Sequence, residues 1–299
     1  MNMKRKDLIS IADLKSEDIQ RLIASAARLK QGGRKPLLEG KILALMFEKP
    51  SLRTRVSFDV AMKQLGGDAI YLSPAEVGLG QREPISDVAK VLSRYVDGIV
   101  ARTFSHSSVA LLAQHATVPV INGLSDEEHP CQVLSDLLTI YEKKGGLEGL
   151  TLAYVGDANN VANSLLLAAS IMGMEFRIAS PKGYEPKPKL QKMAPKAHFT
   201  QDSKVAVKNA DVVYTDVWTS MGQEAEAARR RKAFAGYQVN AELLSLAKKD
   251  AIFMHPLPAH HGEEIAEGVL DLPQSVVFDQ AENRLHMQKA ILAELMGGP

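Results

Sequence analysis

Ile42-Leu43-Ala44-Leu45-Met46-Phe47 runs through Glu48-Lys49-Pro50 into Ser51-Leu52-Arg53-Thr54-Arg55. Val56-Ser57-Phe58-Asp59-Val60-Ala61-Met62-Lys63-Gln64-Leu65 follows, and Gly66-Gly67 ends the stretch. The first six residues read as a buried strand, and the last stretch has apolar residues at helical spacing. Two hydroxyls and two guanidiniums therefore stand where a strand turns into a helix. The first N–H groups of a helix lack internal partners, and its dipole favours an anion there. Arginine adds a planar fork that grips phosphate through two hydrogen bonds. The stretch reads either as a phosphate site on a small-molecule enzyme or as an N-capped helix with two surface arginines.

The same alternation continues outward. Ser16 is placed to cap a helix whose apolar face is Ile19, Leu22, Ile23, Ala26 and Leu29. Apolar runs follow at Ile42–Phe47, Ala69–Leu72, Gly98–Ala101 and Val118–Ile121. A second series is Thr151–Val155, Phe176–Ala179, Asp211–Thr215, Ala251–Met254 and Val276–Phe278. Strands separated by helical patterns imply parallel sheets wound by right-handed crossovers. The expected class is α/β: two domains, each a parallel sheet flanked by helices, with the active site in the cleft between them. Gly145-Gly146 and Gly149 separate the two series, after a helix expected over 130–143. The domains are placed at 1–144 and 145–280, with a terminal helix at 281–299 packing back on the first. The charged segment from Glu224 to Lys232 reads as a solvated helical face.

Composition narrows the function. The chain has 299 residues, with 36 basic and 35 acidic side chains. No basic excess argues for nucleic acid, and no long apolar run suggests a membrane span. The basic start, Met1 to Lys6, lacks a following apolar stretch, so no targeting peptide is read. A single cysteine, Cys131, excludes an internal disulfide and fits a reducing compartment, the cytoplasm.

In open parallel sheets ligands bind beyond the carboxyl ends of strands, and polar residues gather there. Ser51–Arg55 follows the first run and Arg102 the third. Asn122 and His129-Pro130-Cys131-Gln132 follow the fourth. Gly156-Asp157-Ala158-Asn159-Asn160, Asp216 to Gly222 and His255-Pro256-Leu257-Pro258 end runs of the second series. Arg102 is either a surface charge or a group that binds phosphate or polarises a carbonyl. His129 either starts a helix, with Pro130 at its favoured first position, or donates to a carbonyl oxygen beside Gln132. Cys131 reads as a buried, inert thiol rather than a nucleophile, since no activating base is evident. His255, His260 and His261 lack the spacing of a metal site. Gly156–Asn160 sits where a dinucleotide turn would, but the glycine fingerprint is absent, and amide recognition of a polar ligand fits better. Asp216 suits an ammonium group or a helix cap. The Leu257-Pro258 bond is a candidate for cis.

This combination resembles the aspartate/ornithine carbamoyltransferases over nearly the whole chain. The family's S-x-R-T-R appears as Ser51–Arg55 and its H-P-x-Q as His129–Gln132. Its D-x-x-x-S-M-G appears as Asp216–Gly222, and its E-N-R as Glu282-Asn283-Arg284. The S-M-G element places the chain with the ornithine members, since the aspartate members lack it. The resemblance implies transfer of a carbamoyl group from carbamoyl phosphate to the δ-amine of L-ornithine, giving L-citrulline and phosphate in arginine biosynthesis. It implies no metal and no cofactor. Ser51, Leu52, Arg53, Thr54 and Arg55 would hold the phosphate. Arg102, His129 and Gln132 would contact the carbamoyl part, with Arg102, His129 and Thr54 the catalytic candidates. Arg284 would reach back from the terminal segment, and the Leu257 backbone would accept from the carbamoyl nitrogen. Asn160, Asp216, Ser220 and Met221 would bind the α-amino and carboxylate end of ornithine. The family also implies a homotrimer.

Two positions depart from the family pattern. Pro256 replaces the cysteine of H-C-L-P, as in aspartate members, which removes any thiol contact to the acceptor. Gly78 stands where a glutamine or histidine often reaches a neighbouring subunit, so that contact is either absent or supplied by another residue such as Gln81. Other acceptors (aspartate, putrescine, an acylated ornithine) remain alternatives. So do a dinucleotide-dependent oxidoreductase and a non-catalytic phosphometabolite-binding protein.

Overall fold

Apolar runs of the sequence become strands in the computed structural model, which describes residues 7–33, 35–79, 82–220 and 222–297. Gln81 and Met221 lie outside the described residues. The strands are β1 (Ile42–Phe47), β2 (Asp68–Leu72), β3 (Gly98–Arg102), β4 (Val120–Leu124), β5 (Thr151–Val155), β6 (Glu175–Ala179), β7 (His198–Thr200), β8 (Val212–Thr215) and β9 (Ile252–Met254). All pairings between them are parallel, in the orders β2-β1-β3-β4 and β7-β6-β5-β8-β9.

Two compact units result. The first runs through Leu138 and resumes at Asn283, and the second spans Thr139–Glu282. The chain changes unit inside two helices, Pro130–Lys144 and Val277–Met296. Gly145, where the sequence suggested a boundary, follows the Pro130–Lys144 helix with φ +77°.

In the first unit both faces of β1 are buried, as helices on both sides of a parallel sheet require. Ala44 and Met46 pack with Ile99, Ala101 and Val120 from the sheet and with Val109 and Leu112 from a helix. The terminal helix belongs to this unit from Asn283 on. Buried Lys289 donates to the Leu29 carbonyl at 2.8 Å, and Lys30 donates to Asn283 Oδ1 at 2.9 Å. In the second unit Ala153, Val155, Val213 and Phe253 pack with Leu243, Leu244 and Val277. No helix among the described residues is long and apolar enough to cross a membrane.

The structure corrects several expectations. Val276–Phe278 is not a strand. Val276 makes one backbone bond to Phe253, and the Val277–Met296 helix then begins with Phe278 exposed. Three apolar residues are too few to separate the two states. β4 starts later than the apolar run and contains Asn122, so that residue lies within the strand rather than beyond it. β7, a polar edge strand, was missed. Ser16 is the first residue of its helix rather than the cap, and the Asp18 carboxylate accepts from the Lys15 N–H at 3.1 Å.

Gly67 is fixed by packing rather than by φ. A Cβ there would lie 2.6 Å from Met62 Cε and 2.8 Å from the carbonyl oxygens of Leu38 and Lys41. The Lys41 carbonyl is already bound to the Asp68 N–H, so it cannot step aside freely. Gly67→Ala is expected to destabilise the chain by about 1–3 kcal/mol, read as a lower urea midpoint. An unchanged midpoint would show that the backbone at 38–41 yields.

Candidate active site

The order of the first sheet reverses at β1, which has β2 on one side and β3 on the other. Turns leaving β1 and β3 therefore diverge and leave room at their carboxyl ends. Phe47, the last residue of β1, pairs with Arg102, the last residue of β3. A register shift between Ala101 and Arg102 re-aims the strand there.

After β1, Ser51 caps the Leu52–Gln64 helix, its hydroxyl accepting from the Thr54 N–H at 3.3 Å. Thr54 is buried, and its Oγ1 accepts from Arg284 Nη2 at 2.6 Å. Arg284 comes from the terminal helix, so that helix completes the site it returns to. An accepting Thr54 oxygen keeps its hydroxyl hydrogen free to donate elsewhere. Buried Gln132 donates from Nε2 to Asp136 Oδ1 at 2.9 Å. With Nε2 donating here, Gln132 Oε1 is left as an acceptor.

Charge makes this crevice unusual. Burial, then Arg284 and Arg53, push the Arg102 guanidinium down to about 10, which still leaves it a cation near neutrality. Burial also lowers half-buried Arg53. The His129 imidazole is held well below its ordinary value, first by burial and then by Arg284 and Arg102, so it is neutral at pH 7. Arg102 Nε is buried with no hydrogen-bond partner among the described residues. An orphaned buried donor costs about 1–3 kcal/mol. A concentrated, desolvated positive field with an unfilled donor is what an anionic oxygen ligand would satisfy.

The structure thus couples Arg53, Thr54, Arg102, His129 and Arg284. It does not do the same for Arg55, which is exposed and lies 3.9 Å over the Tyr71 ring. Leu52 is exposed as well. Burial pushes the Cys131 thiol up to about 12, and its Sγ donates to the Asn122 carbonyl at 3.4 Å. It is a protonated packing group.

The second sheet reverses at β5, between β6 and β8. Val155 pairs with Thr215 at the ends of β5 and β8. Gly156 leaves β5 at φ +142°, a conformation only glycine adopts freely. Asn159 then caps the Asn160–Ile171 helix, its Oδ1 accepting from the N–H groups of Val161 and Ala162. Its Nδ2 donates to Asp216 Oδ2 at 2.7 Å, which joins the two turns. Asp216 is buried, and burial raises its pKa against the opposing effects of His255 and Asn159. Ser220 is anchored by Gln223, whose Oε1 accepts from the Ser220 N–H at 3.0 Å.

At the end of β9 the Leu257-Pro258 bond is cis and Leu257 has φ +54°. The Leu257 N–H donates to His255 Nδ1 at 2.9 Å, so the imidazole proton sits on Nε2, facing Glu264 Oε1 at 3.1 Å. His255 is thereby committed to shaping the turn. Pro256 is buried.

Sequence reading missed Asp136, Glu264 and Arg230, and it placed Asn159 at the site without its role as helix cap and tie to Asp216. Asp136 was recoverable, since it stands four residues after Gln132 on one helical face. Arg230 was not. It lies in a charge run read as solvated, yet it is buried and paired with Asp157 at 2.8 Å.

Comparison with known proteins accounts for both units. Residues 6–142 match the family model described as the aspartate/ornithine carbamoyltransferase carbamoyl-P binding domain, and residues 148–295 match the Asp/Orn binding domain. A relative from Thermus thermophilus, described as ornithine carbamoyltransferase, is 55% identical over 292 residues, covering 97% of each chain. One from Pyrococcus furiosus, described as anabolic ornithine carbamoyltransferase, is 53% identical over 310 residues, covering 100% of this chain and 98% of its own. A solved ornithine carbamoyltransferase from Pyrococcus furiosus superposes with a TM-score of 0.95 at 52% identity, covering 100% of this chain and 99% of that one. The chain belongs to the aspartate/ornithine carbamoyltransferase family.

Proposed function

We propose that the protein transfers the carbamoyl group of carbamoyl phosphate to the δ-amine of L-ornithine, releasing L-citrulline and phosphate. The observation that carries this reading is the buried cationic crevice of Arg53, Arg102 and Arg284 around Thr54 and neutral His129. Phosphate sits on Ser51, Arg53 and Thr54 and on the first N–H groups of the Leu52–Gln64 helix, with Leu52 contributing backbone, and Arg55 would join it only by leaving the Tyr71 ring. Arg284 adds a further cation. Arg102, the Thr54 hydroxyl and His129 donate to the carbonyl oxygen. Gln132 Oε1 and the Leu257 carbonyl accept from the carbamoyl NH2. Asn160, Asp216, Ser220 and Met221 hold the α-amino and carboxylate end of ornithine. Gln81 is the candidate for a contact across subunits.

In the reaction the neutral δ-amine attacks the carbonyl carbon. A C–N bond forms, the C–O bond to phosphate breaks, and the leaving phosphate takes the proton the amine sheds. The donor is already activated, so no covalent enzyme intermediate is required. Holding both substrates in register supplies about 7–11 kcal/mol. Each donor to the developing oxyanion is worth about 2.7–4 kcal/mol. A free alkylamine has a pKa of about 10.4 on the lysine model, and desolvation beside cations lowers it toward the reactive form.

The anabolic relative supports a biosynthetic direction, toward arginine. One buried cysteine suits the cytoplasm. A homotrimer is the assembly the family resemblance implies, and exposed Leu52, Val56 and Ile70 in the first unit offer apolar surface for it. Light scattering should return three times the chain mass, and a monomer would remove the trimer. Pro256 favours one second reading, an acceptor other than ornithine, because it changes the side chain beside the acceptor turn.

The deciding assay supplies carbamoyl phosphate with L-ornithine, aspartate or putrescine. Citrulline alone is expected, and a different ureido product would reassign the acceptor. Arg102→Ala should lower kcat by about 10²–10³ with folding retained, and near-normal turnover would remove it from the oxyanion role. His129 also predicts a pH effect on stability. Its pKa is depressed in the folded chain, so between that value and the ordinary 6.5 the unfolded chain holds the extra proton. Stability is therefore lost as pH falls below about 6.5. His129→Asn should lose less urea resistance than the wild type between pH 7.5 and 5.5, and equal losses would contradict a buried neutral imidazole.

A further inference from the structure

Arg230 lies within Arg229-Arg230-Arg231-Lys232, yet only 6% of it is exposed. Its Nη1 donates to Asp157 Oδ2 at 2.8 Å and to the Trp218 carbonyl at 2.9 Å. Its Nε reaches Glu226 Oε2 at 3.3 Å, and its guanidinium lies 5.0 Å over the Tyr184 ring. Asp157 is buried too, with Asp216 and Glu226 adding repulsion to its carboxylate.

A pair taken out of water this far is a poor device for stability, because a matched neutral pair often serves as well. What the pair fixes is position. Asp157 belongs to the turn after β5 that leads to Asn160. Trp218 belongs to the turn after β8, midway between Asp216 and Ser220. One guanidinium nitrogen therefore ties together the two turns that carry the proposed amino-acid ligands. It does so from the Ala227–Ala233 helix, which supplies no proposed ligand of its own. The Trp218 ring stacks on Phe234, just past that helix, with centroids 5.7 Å apart and planes at 19°. The Asn159–Asp216 bond is a second tie between the turns, on the far side of Trp218 in sequence from Ser220.

We propose that Arg230 is a positioning residue for the amino-acid subsite. It orders the Asp216–Ser220 turn during folding, so the acceptor does not pay for that ordering when it binds. The proposal rests on the carbamoyltransferase reading of this subsite. Backbone ordering deferred to binding appears as weaker acceptor affinity, with the carbamoyl phosphate site in the other unit untouched.

The test uses the full chain as wild type, Arg230→Met, and the double variant Arg230→Met/Asp157→Asn. Arg230→Met leaves Asp157 buried and unpaired, so its thermal midpoint should fall, and the double variant should recover most of that loss. In both, the KM for ornithine should rise about tenfold while the KM for carbamoyl phosphate stays within about twofold. Trp218 is the chain's single tryptophan, so acrylamide quenching of its fluorescence reads the turn without any substrate. Quenching should increase in the double variant although its midpoint is restored. An ornithine KM that returns to the wild-type value together with the midpoint would overturn the proposal, as would unchanged quenching. A wild-type chain that forms no citrulline would instead defeat the functional reading and the acceptor named here, and the Trp218 measurement would still decide the positioning role.

Discussion

A parallel strand reaches its neighbour only by a crossover, and crossovers that change side leave two adjacent strands whose following turns part. That happens once in each sheet, at β1/β3 and at β5/β8. Everything proposed to touch substrate follows from those two places or is brought to them. Ser51–Arg55 and Arg102 leave the first, and Gly156–Asn160 and Asp216–Ser220 leave the second. Elements farther along the chain then complete each site. Arg284 on the terminal helix bonds Thr54, and Arg230 bonds across the turns beside Asp216. The winding supplies the opening, and later helices furnish it.

The two openings are charged in opposite senses. The first buries Arg102, whose pKa burial lowers, and sets Arg284 and Arg53 close enough to lower it further. The second buries Asp216 at a cost seen in its raised pKa. Each arrangement is unfavourable by itself, and a ligand of opposite charge relieves it. Carbamoyl phosphate is anionic, and an amino acid carries an ammonium. Under the proposed function, the cost of burying charge in the folded chain is what each substrate would relieve, as strain at a functional site commonly is.

Strands were legible in the sequence because a parallel strand buried on both faces is a bare apolar run, as Ile42–Phe47 and Thr151–Val155 show. Where burial was partial and the segment only three residues long, legibility failed. β7 is an exposed edge, and Val276–Phe278 is too short to distinguish a strand from a helix start. Site residues directly after β1, β3, β5 and β8 were legible because position on the sheet announces them. Their supports were less so. Asp136 and Glu264 act through another side chain; the i, i+4 spacing from Gln132 marks Asp136, but nothing in the local pattern marks Glu264. Arg230 is the clearest case. Its neighbours Arg229 and Arg231 pair with Glu226 and Glu263 while largely exposed, and only the fold distinguishes the middle arginine from them.

Pro256 can be read in the same physical terms. The turn it occupies is held by a bond that skips it, from the Leu257 N–H to His255 Nδ1, with Glu264 behind the imidazole. Proline lacks an N–H, and this arrangement asks for none at position 256. The group proposed to meet the carbamoyl nitrogen is the Leu257 carbonyl, a main-chain atom whose direction is set by its neighbours rather than by the side chain before it. Exchanging a thiol for a proline ring therefore alters what the turn offers an acceptor while leaving intact what it offers the donor. On the proposed roles, the departure at Pro256 would touch the acceptor side of the chemistry, while the donor contact would stay on the Leu257 backbone.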